Sequence, residues 1–270
     1  MKIFNINIIN IKYKDLFNEI IKFKKQLIVF TPNPEILLKT KTDNEFKSMI
    51  EKADYLTADW IGLYIGFQIN DNKYWKIINT MLLPIYFIKL FFSRGKLYEK
   101  YWERICWSDL TKDLINHLNK TWEKFTIIDL HNPSDLKKVK SQEKFPSLIK
   151  SKFENLNFDY FIYDESKKES IIDNIKNSDS KIVFSTLWMK KQEKSVIEIM
   201  EKCWNIKLWL WIWSSFDYFT WFQKRAPSIW RKLWLEWLYR LITWPKKIDR
   251  LKRLYNAIFV FIYEIIKDKQ

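Results

Sequence analysis

Short apolar, β-branched segments alternate with longer amphipathic segments along the chain. FNINII (4–9) and QLIVFT (26–31) have strand-like patterns, whereas KDLFNEIIKFKK (14–25) and residues 34–52 have the apolar spacing of helices. Further strand candidates are DYLTAD (54–59), KFTIIDL (124–130), KIVFST (181–186) and IKLWLWI (206–212). This alternation predicts an α/β fold with a Rossmann-like, largely parallel sheet flanked by helices.

The carboxyl ends of parallel strands are where sheets of this kind bind ligands. We therefore expect the chemistry to lie in the loops that follow Phe30, Leu56, Leu130, Thr186 and Ile212.

Two segments depart from the alternation. Residues 76–92 are strongly apolar but contain a proline and two lysines, and with their neighbours they form an apolar insertion at 70–101. Residues 224–270 interleave Lys and Arg with aromatic and aliphatic residues, which predicts a basic helical appendage after a core of residues 1–223. Residues 81–92 and AIFVFIYEIIKDK (257–269) are too short to span a bilayer, so each is expected to lie in a membrane interface. A buried core helix is the alternative for residues 81–92.

The net charge of the chain indicates which classes of binding partner to expect. The chain has 47 Lys and Arg against 32 Asp and Glu, a net charge of +15, which favours an anionic partner such as a phosphorylated substrate, a lipid surface or nucleic acid. Cys106 and Cys203 are far apart and lack metal-ligand spacing, so neither a disulfide framework nor a zinc site is indicated.

The ratio of 15 Trp to 3 Gly is unusual, because Gly alone normally makes up about 7% of a protein. The run LWLWIWSSFDYFTW (208–221) places Trp where a strand leading into a tight loop requires Gly. We infer that the gene uses UGA for glycine, as some bacteria do, and that these codons are translated here as tryptophan. The alternative is a Trp-rich protein that binds membranes or sugars.

Polar residues stand at the ends of two predicted strands. In TPNPE (31–35), Thr31 and Asn33 would face the strand-end cleft, although the same residue types also serve as helix caps. Asp59, at the tip of the next strand, suits a general base, although an Asx turn is the commoner role of such an aspartate.

Two later segments add further candidates. In RICWSDL (104–110), Arg104 is available for a diphosphate, and Ser108 or Asp109 for capping the following helix. Gln192, in LWMKKQE (187–193), follows another strand and could hydrogen-bond a sugar hydroxyl.

With glycine in place of certain tryptophans, six segments resemble the WecG/TagA/CpsF glycosyltransferases in order and spacing. They are TPNPE, ADGIG, ERICGSDL, LGMKKQE, GIGSSFDYFTGFQKRAP and W-x3-LGLEWLYRL, and together they lie within residues 25–250. The last two, at 211–241, are the most specific. The tryptophans that match family glycines are Trp60, Trp107, Trp188, Trp211, Trp213, Trp221 and Trp234, whereas Trp230 and Trp237 match family tryptophans.

The resemblance implies transfer of N-acetylmannosamine, or a related hexosamine or hexose, from a UDP-sugar to an undecaprenyl-diphosphate-linked sugar. It implies an inverting enzyme that needs no metal and no other cofactor, and the sequence contains no D-x-D pair. The catalytic residues on the matching positions are Asp59 as the base, with Thr31 and Gln192. The substrate-binding residues are Asn33, Arg104, Ser108, Asp109, Asp217, Arg225, Arg231 and Arg240.

The chain departs from the family pattern after the central strand. IIDL is followed by HNPSDLKK rather than by a glycine-containing loop, so His131 and Asn132 occupy the expected donor-binding region. The identity of the donor sugar is therefore left open.

These features predict a cytoplasmic enzyme, peripheral at the inner face of the cell membrane, in cell-surface polysaccharide or teichoic-acid-like synthesis. Its expected partners are a UDP-sugar, a polyprenyl-diphosphate-linked acceptor and an anionic membrane surface, with no nucleic acid. The rival interpretation is a non-enzymatic basic, aromatic protein that binds nucleic acid or membrane. Aromatic residues concentrated at loop glycine positions speak against it.

Overall fold

The fold is built on a six-stranded sheet in which all pairings are parallel, in the order β4-β3-β8-β7-β5-β6. The computed structural model describes residues 1–101, 103–130, 136–212, 216, 218, 224–243 and 247–268. The strands of the sheet are β3 (Leu27–Phe30), β4 (Tyr55–Leu56), β5 (Phe125–Leu130), β6 (Phe158–Tyr163), β7 (Ile182–Ser185) and β8 (Leu208–Trp211). The predicted α/β class with a parallel sheet is thus confirmed.

Helices pack on the sheet and follow most of its strands. In the first half they are α1 (Tyr13–Ile20), α2 (Pro34–Thr42), α3 (Asn44–Glu51), α4 (Ile61–Asp71), α5 (Lys76–Met81), α6 (Leu83–Phe92), α7 (Arg94–Tyr101) and α8 (Trp107–Thr121). In the second half they are α9 (Leu136–Lys152), α10 (Lys168–Lys176), α11 (Lys191–Lys202), α12 (Ser228–Lys232), α13 (Glu236–Thr243), α14 (Lys247–Tyr255) and α15 (Phe261–Asp268). A short 3₁₀ segment (Glu165–Lys167) precedes α10, and a π-helical segment (Asn256–Val260) joins α14 to α15.

The central strands are apolar because helices cover both faces of the sheet. All four residues of β7 and all four of β8 are buried. Successive side chains of a strand point to opposite faces of the sheet. Because both faces are covered here, apolar residues occupy successive positions, and the strands do not alternate between apolar and polar residues.

The amino-terminal segment differs from expectation. FNINII does not join the main sheet; β1 (Lys2–Ile3) and β2 (Ile6–Asn7) form a separate antiparallel hairpin. Its two-residue turn, Phe4 and Asn5, has φ of 52° and 65°, the backbone that such turns require. The hairpin is therefore a local element beside the sheet.

Two other elements were not predicted. The helical stretch 34–52 is divided into α2 and α3 at Asp43, whose carboxylate accepts a hydrogen bond from the Phe46 amide at 3.0 Å and begins the second helix. Strand β6 (FDYFIY) lies at the edge of the sheet and is only partly buried, so its pattern lacks the continuous apolar run that marks the central strands.

The end of the chain belongs to the hydrophobic core. In α15, Phe261, Ile262 and Ile265 are buried, and the helix packs against α4 and α2. Lys41 of α2 forms salt bridges with Glu264 and Asp268 at 2.7 and 2.8 Å. The apolar face of this helix is therefore covered by protein, and contact of residues 224–270 with a membrane stays a prediction.

Among the residues that the structure describes, none lies in a helix both long and apolar enough to cross a bilayer.

Candidate active site at the carboxyl edge of the sheet

Asp59 lies in the loop between β4 and α4, where a parallel strand ends and a helix begins. The Ile105 amide donates to the Ala58 carbonyl at 3.1 Å, which brings the segment containing Arg104 alongside this loop. Burial raises the pKa of Asp59 to about 6, although the positive charges of Arg104 and Arg240 oppose the shift. A carboxyl with such a pKa can accept a proton near neutral pH.

Helix α13 adds two charged residues to the group formed by Asp59 and Arg104. Arg240 donates to Glu236 at 2.6 Å, one helical turn away. Burial alone would raise the pKa of Glu236, but the positive charges of Arg240, Arg104 and Arg225 hold it below the usual value. Because the charge of Glu236 also acts on Asp59 and Arg104, the C-terminal helices contribute directly to the site's electrostatics.

Asp109, in the first turn of α8, joins the C-terminal segment to the core. It pairs with Arg225 at 2.7 Å and with Arg231 at 3.5 Å. The Arg225 guanidinium also lies 3.8 Å from the Cys106 sulfur. The expected cap of α8 by Ser108 or Asp109 is wrong: Cys106 is the N-cap residue, and within the described part of the chain no side-chain hydrogen bond caps the helix.

Ser108 itself is buried in the first turn of α8, so it lies in the same segment but presents little surface to a ligand.

Thr31 and Gln192 follow strand ends, are buried, and have side-chain polar atoms without a hydrogen-bond partner among the described residues. The Thr31 hydroxyl follows β3, and both amide atoms of Gln192 lie near the start of α11, after β7. An unpaired buried polar group costs about 1–3 kcal/mol. Both groups lie at the edge of the sheet where ligands bind in folds of this kind.

Asn33 has the structural role that its sequence position also allowed. Its side-chain oxygen accepts from the Ile36 amide at 3.0 Å and caps α2. The remaining lone pair and the amide group are half-buried at the same edge of the sheet.

A second polar cluster, which the sequence analysis did not predict, lies at the ends of β5 and β7. Asp129 accepts hydrogen bonds from Gln142 at 3.0 Å, from Tyr160 at 2.8 Å and from Thr186. Asp129, the next-to-last residue of the predicted strand KFTIIDL, was the available signal. Because β5 and β7 are adjacent and their chain connections run in opposite directions across the sheet, this edge is a topological switch point.

The structure thus brings together most of the predicted residues. Asp59, Arg104, Asp109, Arg225, Arg231 and Arg240 belong to one charged cluster, whereas Thr31, Asn33 and Gln192 follow other strands at the same edge. Asp217, together with His131 and Asn132, lies outside the described residues.

Sequence reasoning also missed Glu236, Cys106 and Tyr218, whose ring lies 5.6 Å from the Arg240 guanidinium. The spacing of Glu236 and Arg240 at i, i+4 was the signal for their pair.

The fold and the site define an α/β protein with an arginine-rich, carboxylate-containing cluster at the carboxyl edge of a parallel sheet, the edge where such sheets form their ligand-binding cleft. The model of the glycosyl transferase WecG/TagA/CpsF family matches residues 1–95 and 88–270, and the chain belongs to this family.

The chain is similar to an N-acetylglucosaminyldiphosphoundecaprenol N-acetyl-beta-D-mannosaminyltransferase of Staphylococcus aureus (strain MRSA252). The two are 25% identical over 247 residues, which cover 90% of this chain and 81% of the relative. The sequence-based assignment to the family is confirmed.

Proposed function

We propose that this protein transfers N-acetylmannosamine, or a related hexosamine or hexose, from a UDP-sugar to a sugar carried on undecaprenyl diphosphate. The observation that carries the proposal is the position of Asp59, a half-buried carboxyl with a raised pKa among the arginines of a strand-end cleft. The Staphylococcus aureus relative is named for the same class of reaction.

Asp59 acts as the general base of a single inverting displacement. Its carboxylate takes the proton from the acceptor hydroxyl as that oxygen forms a bond to the anomeric carbon of the donor. The bond from this carbon to UDP breaks, and UDP leaves with the electron pair. Base catalysis of this kind contributes about 10²–10⁴-fold. Positioning of the two substrates supplies much of the remainder.

Thr31 and Gln192 orient the reacting sugars. Their buried polar atoms have no partner among the described residues, so sugar hydroxyls would satisfy groups that are already desolvated. Asn33, Ser108 and Asp217 are assigned to the substrate-binding surface on their match to the family motifs.

The arginines neutralise the two diphosphates. Arg104 and Arg240 are close enough to influence Asp59, so they are suited to the charge that develops on departing UDP. Arg225 and Arg231 are paired with Asp109, and a diphosphate offers them more acceptor oxygens than one carboxylate does.

We further propose that the protein is cytoplasmic and peripheral at the inner face of the cell membrane. It would act in cell-surface polysaccharide or teichoic-acid-like synthesis. Its substrates carry their own phosphates and the arginines supply the countercharge, so the transfer is proposed to need no metal ion.

We also propose that several tryptophans stand where the natural protein has glycine. Trp122 and Trp234 have φ of 60° and 63°, the left-handed region that glycine adopts without penalty. The indole N–H groups of Trp107 and Trp209 are buried without a partner among the described residues. Both observations are expected where a tryptophan stands at a position that holds glycine in the natural protein.

A transfer assay with a radiolabelled UDP-sugar and a lipid-diphosphate-linked acceptor tests the proposed reaction. The protein should be made from a gene whose UGA codons are read as glycine. Filter binding to single-stranded nucleic acid is the parallel assay for the rival interpretation. Transfer without nucleic-acid retention supports the enzyme, and retention without transfer supports a basic binding protein.

A further inference from the structure

Helices α5 and α6, residues 74–92 and here called the α5–α6 hairpin, combine a buried asparagine with many exposed apolar side chains. Asn79 is 0% exposed, whereas Met81 is 73% and Phe92 is 85% exposed. On α6, Ile85, Ile88 and Phe92 recur at intervals of three or four residues, so they form one stripe along the outer face. Ile77, Ile78 and Met81 of α5 add further exposed apolar side chains beside it. A soluble helix shows the opposite arrangement.

Hydrogen bonds fix the hairpin to the end of α4. The Asn72 amide donates to Asn79 at 2.8 Å and also contacts the Tyr86 hydroxyl, which itself donates to Asn79 at 3.0 Å. The Asn79 amide donates to the Tyr74 carbonyl at 2.7 Å. Because this network orients both helices, exposure of the apolar stripe is a property of the fold.

The charged residues in the hairpin's own stretch of sequence are all basic. No Asp or Glu occurs between residues 72 and 98, and this interval contains Lys73, Lys76, Lys89, Arg94 and Lys96. Cations beside an exposed apolar face complement anionic headgroups, which attract each basic residue near the surface.

The hairpin is connected to the candidate active site through α4 and α7. Tyr86 is fixed at the C-terminal end of α4, whereas Tyr98 of α7 contacts Tyr64 in the first turns of α4, with ring centroids 6.0 Å apart. Helix α6 therefore leads back along α4 towards the loop that holds Asp59. Tyr98 also lies 5.3 Å from Trp234, in the segment that carries the arginines of the cleft.

We propose that the α5–α6 hairpin is the surface by which this protein enters the interface of an anionic lipid bilayer, placing the cleft next to the lipid-linked acceptor. The proposal rests on the proposed function for its purpose, but the surface itself stands on exposure, charge and position. The helices are too short to span the bilayer and would lie about 5–10 Å deep at the boundary of headgroups and acyl chains.

The hairpin is better suited to this role than the C-terminal helices are. The apolar residues of α15 are buried against α4, and the exposed Ile248, Leu251 and Phe259 are interleaved with both acidic and basic residues. The hairpin's stripe has no acidic neighbour in sequence.

Vesicle flotation tests the proposal with the full chain. The hairpin variant Ile77→Ser/Met81→Ser/Phe92→Ser changes only exposed side chains, and Ile248→Ser/Leu251→Ser/Phe259→Ser is a matched control with three exposed apolar residues in the C-terminal helices. On vesicles of phosphatidylcholine with phosphatidylglycerol, we expect the hairpin variant to lose at least about tenfold in partitioning. The control should lose much less, and pure phosphatidylcholine should bind the wild type weakly.

Equal partitioning of the hairpin variant and the wild type, or a larger loss in the control variant, would overturn the proposal. Sedimentation analysis tests whether the surface binds a second copy instead. If the wild type and the control variant are dimers and the hairpin variant is a monomer, the surface is a dimer interface and the proposal is overturned. Unchanged thermal unfolding confirms that the variants are folded.

Transfer to a water-soluble acceptor, the same sugar diphosphate on a short alkyl chain, separates the two proposals. The hairpin variant should use this acceptor at the wild-type rate and lose activity only on the vesicle-embedded lipid. If neither protein transfers sugar, the proposed reaction fails, while flotation still decides the membrane surface.

Discussion

Arg225, at the start of the C-terminal segment, pairs with Asp109, in the first turn of α8, with 2.7 Å between Nη2 and Oδ1. Arg231 reaches the same carboxylate at 3.5 Å. This carboxylate therefore holds the segment that carries Glu236 and Arg240 close enough to act electrostatically on Asp59. The cluster of charges around Asp59 therefore depends on a contact between two parts of the chain that are distant in sequence.

We expect Asp109→Asn to lower kcat/KM for the lipid-linked acceptor about tenfold, because it weakens a charge-assisted contact that positions the arginines. The free energy of unfolding should change by less than about 1 kcal/mol, since Asp109 is partly exposed. Steady-state kinetics and thermal unfolding measure the two effects. Glu198→Gln, which removes a salt bridge with Lys168 away from the cleft, is the control and should leave kinetics unchanged. Wild-type kinetics in Asp109→Asn would contradict the positioning role.

Asp59→Asn should reduce turnover by about 10²–10⁴-fold while leaving UDP-sugar binding nearly intact, because it removes the base but keeps the shape. In the wild type, kcat/KM should rise with pH and level off above about 6, as Asp59 loses its proton. Near-normal turnover in the variant, or a flat profile between pH 5 and pH 7, would exclude Asp59 as the base.

The same substitution should stabilise the fold at neutral pH. Burial raises the folded-state pKa of Asp59 above its usual value, so the folded chain binds this proton more tightly than the unfolded chain does. Stability is therefore lost as pH rises from about 4 through about 6. Removing the charge should recover up to about 3 kcal/mol at pH 8, and less to the extent that solvent reaches the carboxyl. Thermal unfolding of the wild type and of Asp59→Asn at pH 4 and pH 8 measures this effect. The difference in stability between the two proteins should be present at pH 8 and vanish at pH 4.

Gln192→Met should raise stability and lower activity. Both amide atoms of Gln192 are buried without a partner among the described residues, so an apolar side chain of similar length removes a cost of about 1–3 kcal/mol. Gln142→Met is the matched control: Gln142 donates to Asp129 at 3.0 Å and to the Leu130 carbonyl at 2.8 Å, so its loss should destabilise. Denaturant titration and transfer assays measure both variants. A destabilised Gln192→Met would show that the amide has a structural partner.

The pattern of apolar residues predicted the parallel sheet because its central strands are buried on both faces and leave continuous apolar runs. Strand β6 was missed because it lies at the sheet edge and carries a mixed pattern. The first strand was misplaced because its separate pairing depends on a two-residue turn with positive φ at Phe4, a residue type that does not signal such a turn.

The positions of the candidate residues were predictable where these residues follow strand ends, as Asp59 and Gln192 do. The charges contributed by Glu236 and the pairing of Asp109 with Arg225 were not, because they depend on how the C-terminal helices fold back on the core. The orientation of residues 74–92 was equally hidden, since buried and interfacial helices share one apolar periodicity.

Trp122 offers the cleanest test of glycine recoding. It follows the last turn of α8 as the C-cap, with φ of 60° and its amide bonded to the Leu118 carbonyl, where glycine is the preferred residue. Its side chain is largely exposed, so little packing is lost on its removal. Trp122→Gly should therefore stabilise the Trp-containing protein by about 1 kcal/mol, the usual cost of a left-handed backbone for a residue with Cβ. Trp204→Gly is the control, because Trp204 is also largely exposed but lacks a positive φ, and it should bring no gain.

The gene should carry UGA at Trp60, Trp107, Trp122, Trp188, Trp213 and Trp234, and UGG at Trp230 and Trp237. Mass spectrometry of the native protein should find glycine at the first set, and tryptophan there would refute recoding and leave large indoles in the proposed nucleotide site.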